Sequence, residues 1–173
     1  MPKNISQFPA DGRKMLEEMQ KNLRRAMSQS AAAIETHYKG SFRGQGFADG
    51  SSKWKGRHKD TDKGRATLVK SGDLRRSIKA SVSGPRSITL STDVPYAEIH
   101  NEGGTITAAQ SVKSHARRTS KGTTTVKAHT RNVNTSMPQR QFMPIEGKDK
   151  IGKALEDKIY NIVKTNLEAA IPT

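Results

Sequence analysis

From Ser71 to Gly104 the chain reads SGDLRRSIKASVSGPRSITLSTDVPYAEIHNEGG, and the changes of period inside this stretch decide the fold class. Ser71 is placed to cap a short helical turn whose apolar positions are Leu74 and Ile78. The period then drops to two. Ile78, Ala80 and Val82 alternate with Lys79, Ser81 and Ser83; after Gly84-Pro85-Arg86, Ile88 and Leu90 alternate with Ser87, Thr89 and Ser91. Successive side chains of a strand point to opposite faces, so two such runs across a Gly-Pro turn predict an antiparallel hairpin. Pro95 breaks the pattern, and Tyr96–Glu102 then forms a short helix that Gly103-Gly104 stops.

Outward from this centre, both ends are helical. Leu16, Met19, Leu23, Ala26, Met27, Ala31, Ile34 and Tyr38 recur at three- and four-residue spacing, which predicts a helix from Asp11, as N-cap, to about Tyr38. Gly40 is placed to end it. Ile151, Leu155, Ile159, Ile162, Val163, Leu167 and Ala170 make a second amphipathic stripe after Gly147. Residues 40–65 lose all periodicity and read as a long loop, pinned to the body by Phe42, Phe47 and Trp54. The expected whole is a single α+β domain over residues 1–173: a long N-terminal helix, a small antiparallel sheet and a C-terminal helix.

Residues 105–137 contain no acidic side chain, and a short pattern occurs in them twice, as VKSHAR from Val112 to Arg117 and VKAHTR from Val126 to Arg131. Thr and Val enrichment around Ser120-Lys121-Gly122 suggests a protruding basic β-hairpin arm. A two-stranded ribbon is marginal in water, so an unstructured basic loop that orders on binding is the other reading. Lys113, Arg117, Arg118, Lys121, Lys127 and Arg131 are the candidates for contact with DNA or with neighbouring subunits. His115 and His129, without carboxylates or thiolates nearby, make a poor metal site.

Composition narrows the partners. Lys and Arg number 31 against 16 Asp and Glu, a formal charge of +15, which favours a polyanionic partner through counterion release. Hydrophobic residues are only 32% of the chain, so its core is small and burial against copies of itself would add stability. With no cysteine, disulfides and thiolate metal sites are excluded. The N-terminus has no apolar signal core and no stretch is long enough to span a membrane, so the chain is expected to act in the cytoplasm or in an assembly built there.

Catalytic patterns are missing. There is no nucleophile elbow, phosphate-binding glycine loop or HExxH, and Gly44-Gln45-Gly46 lacks the third glycine of a dinucleotide site. His100-Asn101-Glu102 would be a fragment of a metal nuclease only with further ligands at matching spacing. No catalytic residue, cofactor or metal is expected. Aromatic interleaving and helix-turn-helix patterns are also missing, so any nucleic acid is met through its backbone and not its bases.

Four segments in order carry a family likeness: Trp54-Lys55; Leu68–Ile78 with Gly72, Leu74, Arg75 and Ser77; Tyr96–Gly104 with His100, Gly103 and Gly104; and Met137–Met143 with Pro138, Arg140 and Phe142. The series resembles the phage virion morphogenesis (tail completion) family of Mu-like and related tailed phages. The resemblance covers residues 50–170, with departures at Arg140-Gln141-Phe142-Met143-Pro144, in the Asn-Glu-Gly-Gly ending, and in the long basic arm. It implies an α+β structural protein of the virion: a neck connector, tail-completion subunit or tail terminator at the head–tail junction, assembled in the bacterial cytoplasm. The implied partners are further copies in a homo-oligomeric ring, neighbouring head, neck or tail proteins, and double-stranded DNA in the channel. The motif residues then serve structure: glycines at turns, Trp54 and Tyr96 in packing, Phe142 in the core. A free, non-sequence-specific nucleic-acid-binding protein is the alternative.

Overall fold

The computed structural model describes residues 10–57, 64–120, 122–147 and 150–170. Helix α1 spans Ala10–Gly44, 35 residues, or about 52 Å at the α-helical rise. It begins before Asp11, which lies inside the first turn and is not the cap, and it runs through Gly40. The reason is burial: Tyr38 is 3% exposed, Ser41 1% and Phe42 2%. A mid-helix glycine costs about 1 kcal/mol, whereas each buried aromatic contributes about 2–3 kcal/mol, so packing overrides the break. The loop expected from residue 40 therefore starts at Gln45, whose left-handed φ of 51° ends the helix. Gln45 fixes that loop with its own side chain: Nε2 donates to the Phe42 and Thr67 carbonyls at 2.6 and 3.2 Å, and Oε1 accepts the Thr67 amide at 2.6 Å.

Helix α2 covers Asp73–Ser77. Its N-cap is Gly72 at φ 77°, not Ser71, whose Oγ accepts only a long 3.4 Å bond from the Asp73 amide. Strands β1 (Lys79–Gly84) and β2 (Ser87–Ser91) form the expected hairpin, with Lys79 opposite Ser91 and Val82 opposite Ile88. Helix α3 (Ala97–Glu102) ends at Gly103, again at positive φ. Four strands follow: β3 (Gly104–Val112), β4 (His115–Thr119), β5 (Gly122–Val126) and β6 (His129–Met137). Helix α4, Lys153–Glu168, completes the α+β fold.

Two apolar clusters hold the body together. Phe42, Trp54, Leu74, Ile78, Ala97 and Phe142 form the first, and Tyr38, Phe47 and Leu155 the second, with Leu90 packed against both. Helix α4 runs back along α1: its start, Leu155, meets Tyr38 and Phe47, and near its end Asn166 Nδ2 donates to Gln29 Oε1 at 2.8 Å. The hairpin is tied to the same helix by Glu35, whose carboxylate accepts Lys39 Nζ at 2.6 Å and the Ala80 amide at 3.1 Å. Those two bonds hold the Glu35 carboxyl below its ordinary pKa.

Candidate functional site

The four motif segments converge on one hub, although up to 87 residues separate bonded partners. Trp54 Nε1 donates to the Gln141 carbonyl at 2.7 Å. Arg140 is 6% exposed, and its guanidinium donates from Nε to the Lys55 carbonyl at 3.0 Å and from Nη2 to the Gly56 carbonyl at 3.2 Å. Its own amide donates to the His100 carbonyl at 2.8 Å. Burial lowers the pKa of this guanidinium, but an arginine stays charged in a protein. Phe42 stacks edge-on to Trp54 at 5.3 Å and tilts against Phe142 at 5.4 Å; Phe142 is fully buried.

Asn101 completes the hub and was not singled out in the sequence. It is buried, and its Oδ1 accepts the amides of both Phe142 and Met143, at 2.9 and 3.0 Å. One side-chain oxygen thus satisfies two backbone donors where the chain returns from the arm. The signal available was a lone asparagine inside a six-residue helix, which no periodicity rule picks out. Gly103 is needed beside it: a Cβ there would stand 2.8 Å from the Gln139 nitrogen and 3.1 Å from the Met137 oxygen, at φ 74°.

The remaining motif residues lie around this hub. Leu74 is buried, Arg75 is exposed, and Ser77 Oγ donates to the Leu74 carbonyl at 2.8 Å. Pro138 is half-buried just before Arg140. Tyr96, expected to be a packing residue, keeps 45% of its surface exposed and meets His100 edge-on at 5.9 Å. His100 has Nδ1 buried without a hydrogen-bond partner among the described residues. Burial, and then the nearby Arg140 charge, lower its pKa.

Strands β3, β4, β5 and β6 form one long ribbon. Strand β3 pairs with β6 from Gly104–Met137 to Val112–His129, and β4 pairs with β5 from His115–Val126 to Thr119–Gly122. Both ladders share a single register, interrupted where Lys113-Ser114 and Lys127-Ala128 leave the pairing on opposite strands. The two copies of the repeated pattern therefore face each other across this break. Each folds alike, with His115 Nδ1 bonded to the Lys113 carbonyl at 3.0 Å and His129 Nδ1 to that of Lys127 at 2.9 Å. The histidines are not opposite one another: His115 faces Val126, and Val112 faces His129.

The ribbon's main contacts are between its own strands, so it stands off the body. From its base to its tip it reaches about 50 Å at ~3.4 Å per residue. Lys113, Arg117, Arg118, Lys127 and Arg131 are all exposed on it; Lys121 lies outside the described residues. Arg131 also bonds Gln110 Oε1 across the strands, through Nη2 at 2.9 Å. Among the described residues, no three His, Asp or Glu side chains come together as a metal site. No helix there is long and apolar enough to cross a membrane.

A hub whose motif residues bury rings and satisfy backbone groups, carrying a detached basic ribbon, has the construction of a structural subunit. Residues 3–168 match the sequence profile of the phage virion morphogenesis family, and the chain belongs to that family. Its role is accordingly in building the phage particle. No curated protein and no solved structure matches it significantly.

Proposed function

We propose that this chain is a non-enzymatic subunit of the phage head–tail junction, a neck connector, tail-completion protein or tail terminator, that closes with its own copies into a ring around the DNA channel. The observation that carries this reading is the ribbon, a basic projection of about 50 Å on a body with a thin core. A ring needs a repeated head-to-tail interface, and the exposed apolar side chains Met15, Val82, Ile151 and Tyr160 supply surface for one. A distal half bearing Lys113, Arg117, Arg118 and Lys127 meets phosphates without reading sequence, as DNA passing through a channel requires. The junction's other head, neck or tail proteins are its neighbours, and assembly takes place in the bacterial cytoplasm.

The same basic distal half favours one other reading, a free protein that coats nucleic acid non-specifically. Light scattering on the purified chain, with electron microscopy of virions, separates the two. A closed ring, or density at the head–tail junction, is expected. A monomer that is absent from virions and binds DNA tightly, with steep salt dependence, would replace the junction role with the coating role.

A further inference from the structure

We propose that the charge-free base of the ribbon is the joint between copies: the outer edge of β3 in one subunit pairs with the outer edge of β6 in the next, and the ribbons close into an antiparallel barrel. This rests on the ring reading above and specifies what closes the ring.

Charge is divided along the ribbon. Residues 104–112 and 132–137 hold no Lys, Arg, His, Asp or Glu, while every charged side chain of the arm falls between them. The six pairs nearest the body therefore lack the like-charge repulsion that would keep neighbouring ribbons apart, and the cations begin at Arg131, opposite Gln110, and continue toward the tip.

The edges of that base are open. Among the described residues, strands β3 and β6 have only each other as neighbours, so each keeps a row of backbone N–H and C=O groups facing away from the pair. Natural sheets guard such edges with lysine, proline or bulges. Here the six pairs from Gly104–Met137 to Ala109–Asn132 run without a register shift, and both strands contain neither Pro nor Lys along them. An edge of this length, unguarded and rich in Thr, Val and Asn, is built to be covered.

The faces agree with closure. Thr105, Thr107 and Ser111 share one face with Ser136, Asn134 and Thr130, and Thr107 Oγ1 donates to Asn134 Oδ1 at 2.9 Å. Ile106, Ala108, Gln110 and Val112 share the other with Met137, Thr135, Val133, Arg131 and His129, apolar near the body and polar farther out, and Ile106 is 42% exposed. A barrel gives these two faces different surroundings, lumen and outer wall, which a lone ribbon in water does not. Direction also fits. Because β3 and β6 run opposite ways, rotation about a ring axis brings the next β3 antiparallel to β6, and closure removes every edge.

The chain has no cysteine, so introduced thiols have no background. A Thr107→Cys variant is mixed separately with Asn132→Cys, Asn134→Cys and Ser136→Cys variants, oxidised, and read on a non-reducing gel. The two thiols sit in different chains, so any disulfide joins two subunits. One of the three mixtures is expected to give a covalent dimer at least several-fold above a Thr107→Cys plus Thr89→Cys control. In solution, a Thr105→Lys/Thr107→Lys variant is expected to fall to monomer mass, whereas Arg117→Gln/Arg118→Gln keeps the ring. Rings that form without any cross-link and survive the edge lysines would overturn the ribbon joint and leave the ring reading standing. A chain that stays monomeric throughout and gives no cross-link would overturn both.

Discussion

An Asn101→Leu variant keeps a side chain of similar length in α3 and removes the oxygen that receives the Phe142 and Met143 amides. Leaving a buried donor unsatisfied costs about 1–3 kcal/mol. The Phe142 amide is fully enclosed and takes the upper part of that range; Met143 is half-buried, so water recovers part of its loss. The sum is about 2–4 kcal/mol of stability. At this chain length each kcal/mol moves the melting midpoint by roughly 2–4 °C, so a fall of about 5–15 °C is expected. Urea titration, followed through the fluorescence of Trp54 in the same cluster, reads the change directly. Protein concentration must be held equal, because self-association adds stability by mass action. A loss smaller than about 0.5 kcal/mol, the size of an ordinary surface change, would refute the role assigned to this oxygen.

Gly103→Ala places a Cβ 2.8 Å from the Gln139 nitrogen at positive φ, and a loss of about 1–3 kcal/mol is expected by the same titration; an unchanged midpoint would mean that the returning strand can move aside. Burial lowers the pKa of both His100 and His37, so the unfolded chain takes up protons first, near the ordinary value of 6.5. Their contribution is complete above that pH and is lost as pH falls below it, so the urea midpoint should drop as the pH is taken below about 6.5, and less in a His100→Gln variant. A midpoint flat across that window would contradict the burial of both rings. Arg117→Gln/Arg118→Gln should weaken DNA binding alike on all sequences and reduce the slope of log affinity against log salt by about 2; an unchanged slope would take the tip off the phosphates.

Periodicity made the regular elements legible. The spacing from Leu16 to Tyr38 marks α1, that from Leu155 to Leu167 marks α4, whereas Ile151, read into the same stripe, precedes the helix and is exposed; the alternation of Ile78–Val82 with Ile88–Leu90 marks the hairpin with its turn. Local rules misplaced the end of α1 because Gly40 looks like a stop, and only the distant partners Trp54 and Phe142 make Phe42 worth keeping helical. The same blindness hid Asn101, whose value lies in two amides 41 and 42 residues away. Tyr96, given a packing role by the resemblance, packs edge-on against His100 while 45% of its surface stays exposed. For residues 105–137 the composition allowed a ribbon or a loop, and the register of the fourteen pairs could not be read from Thr and Lys alone.

The ribbon leaves the body at Gly104 and re-enters at Met137, its direct partner, with the Gly103 and Gln139 backbones in near contact just below. To the rest of the fold, the arm is thus a closed side branch whose two roots are fixed and whose length is not. Adding or removing two residues on each strand changes the reach by about 7 Å and keeps every side chain on its face. A change of one residue per strand would turn the whole distal half over. The arm is a graduated spacer, adjustable in whole steps to the depth of whatever it must span, while the hub that anchors it keeps the same bonds.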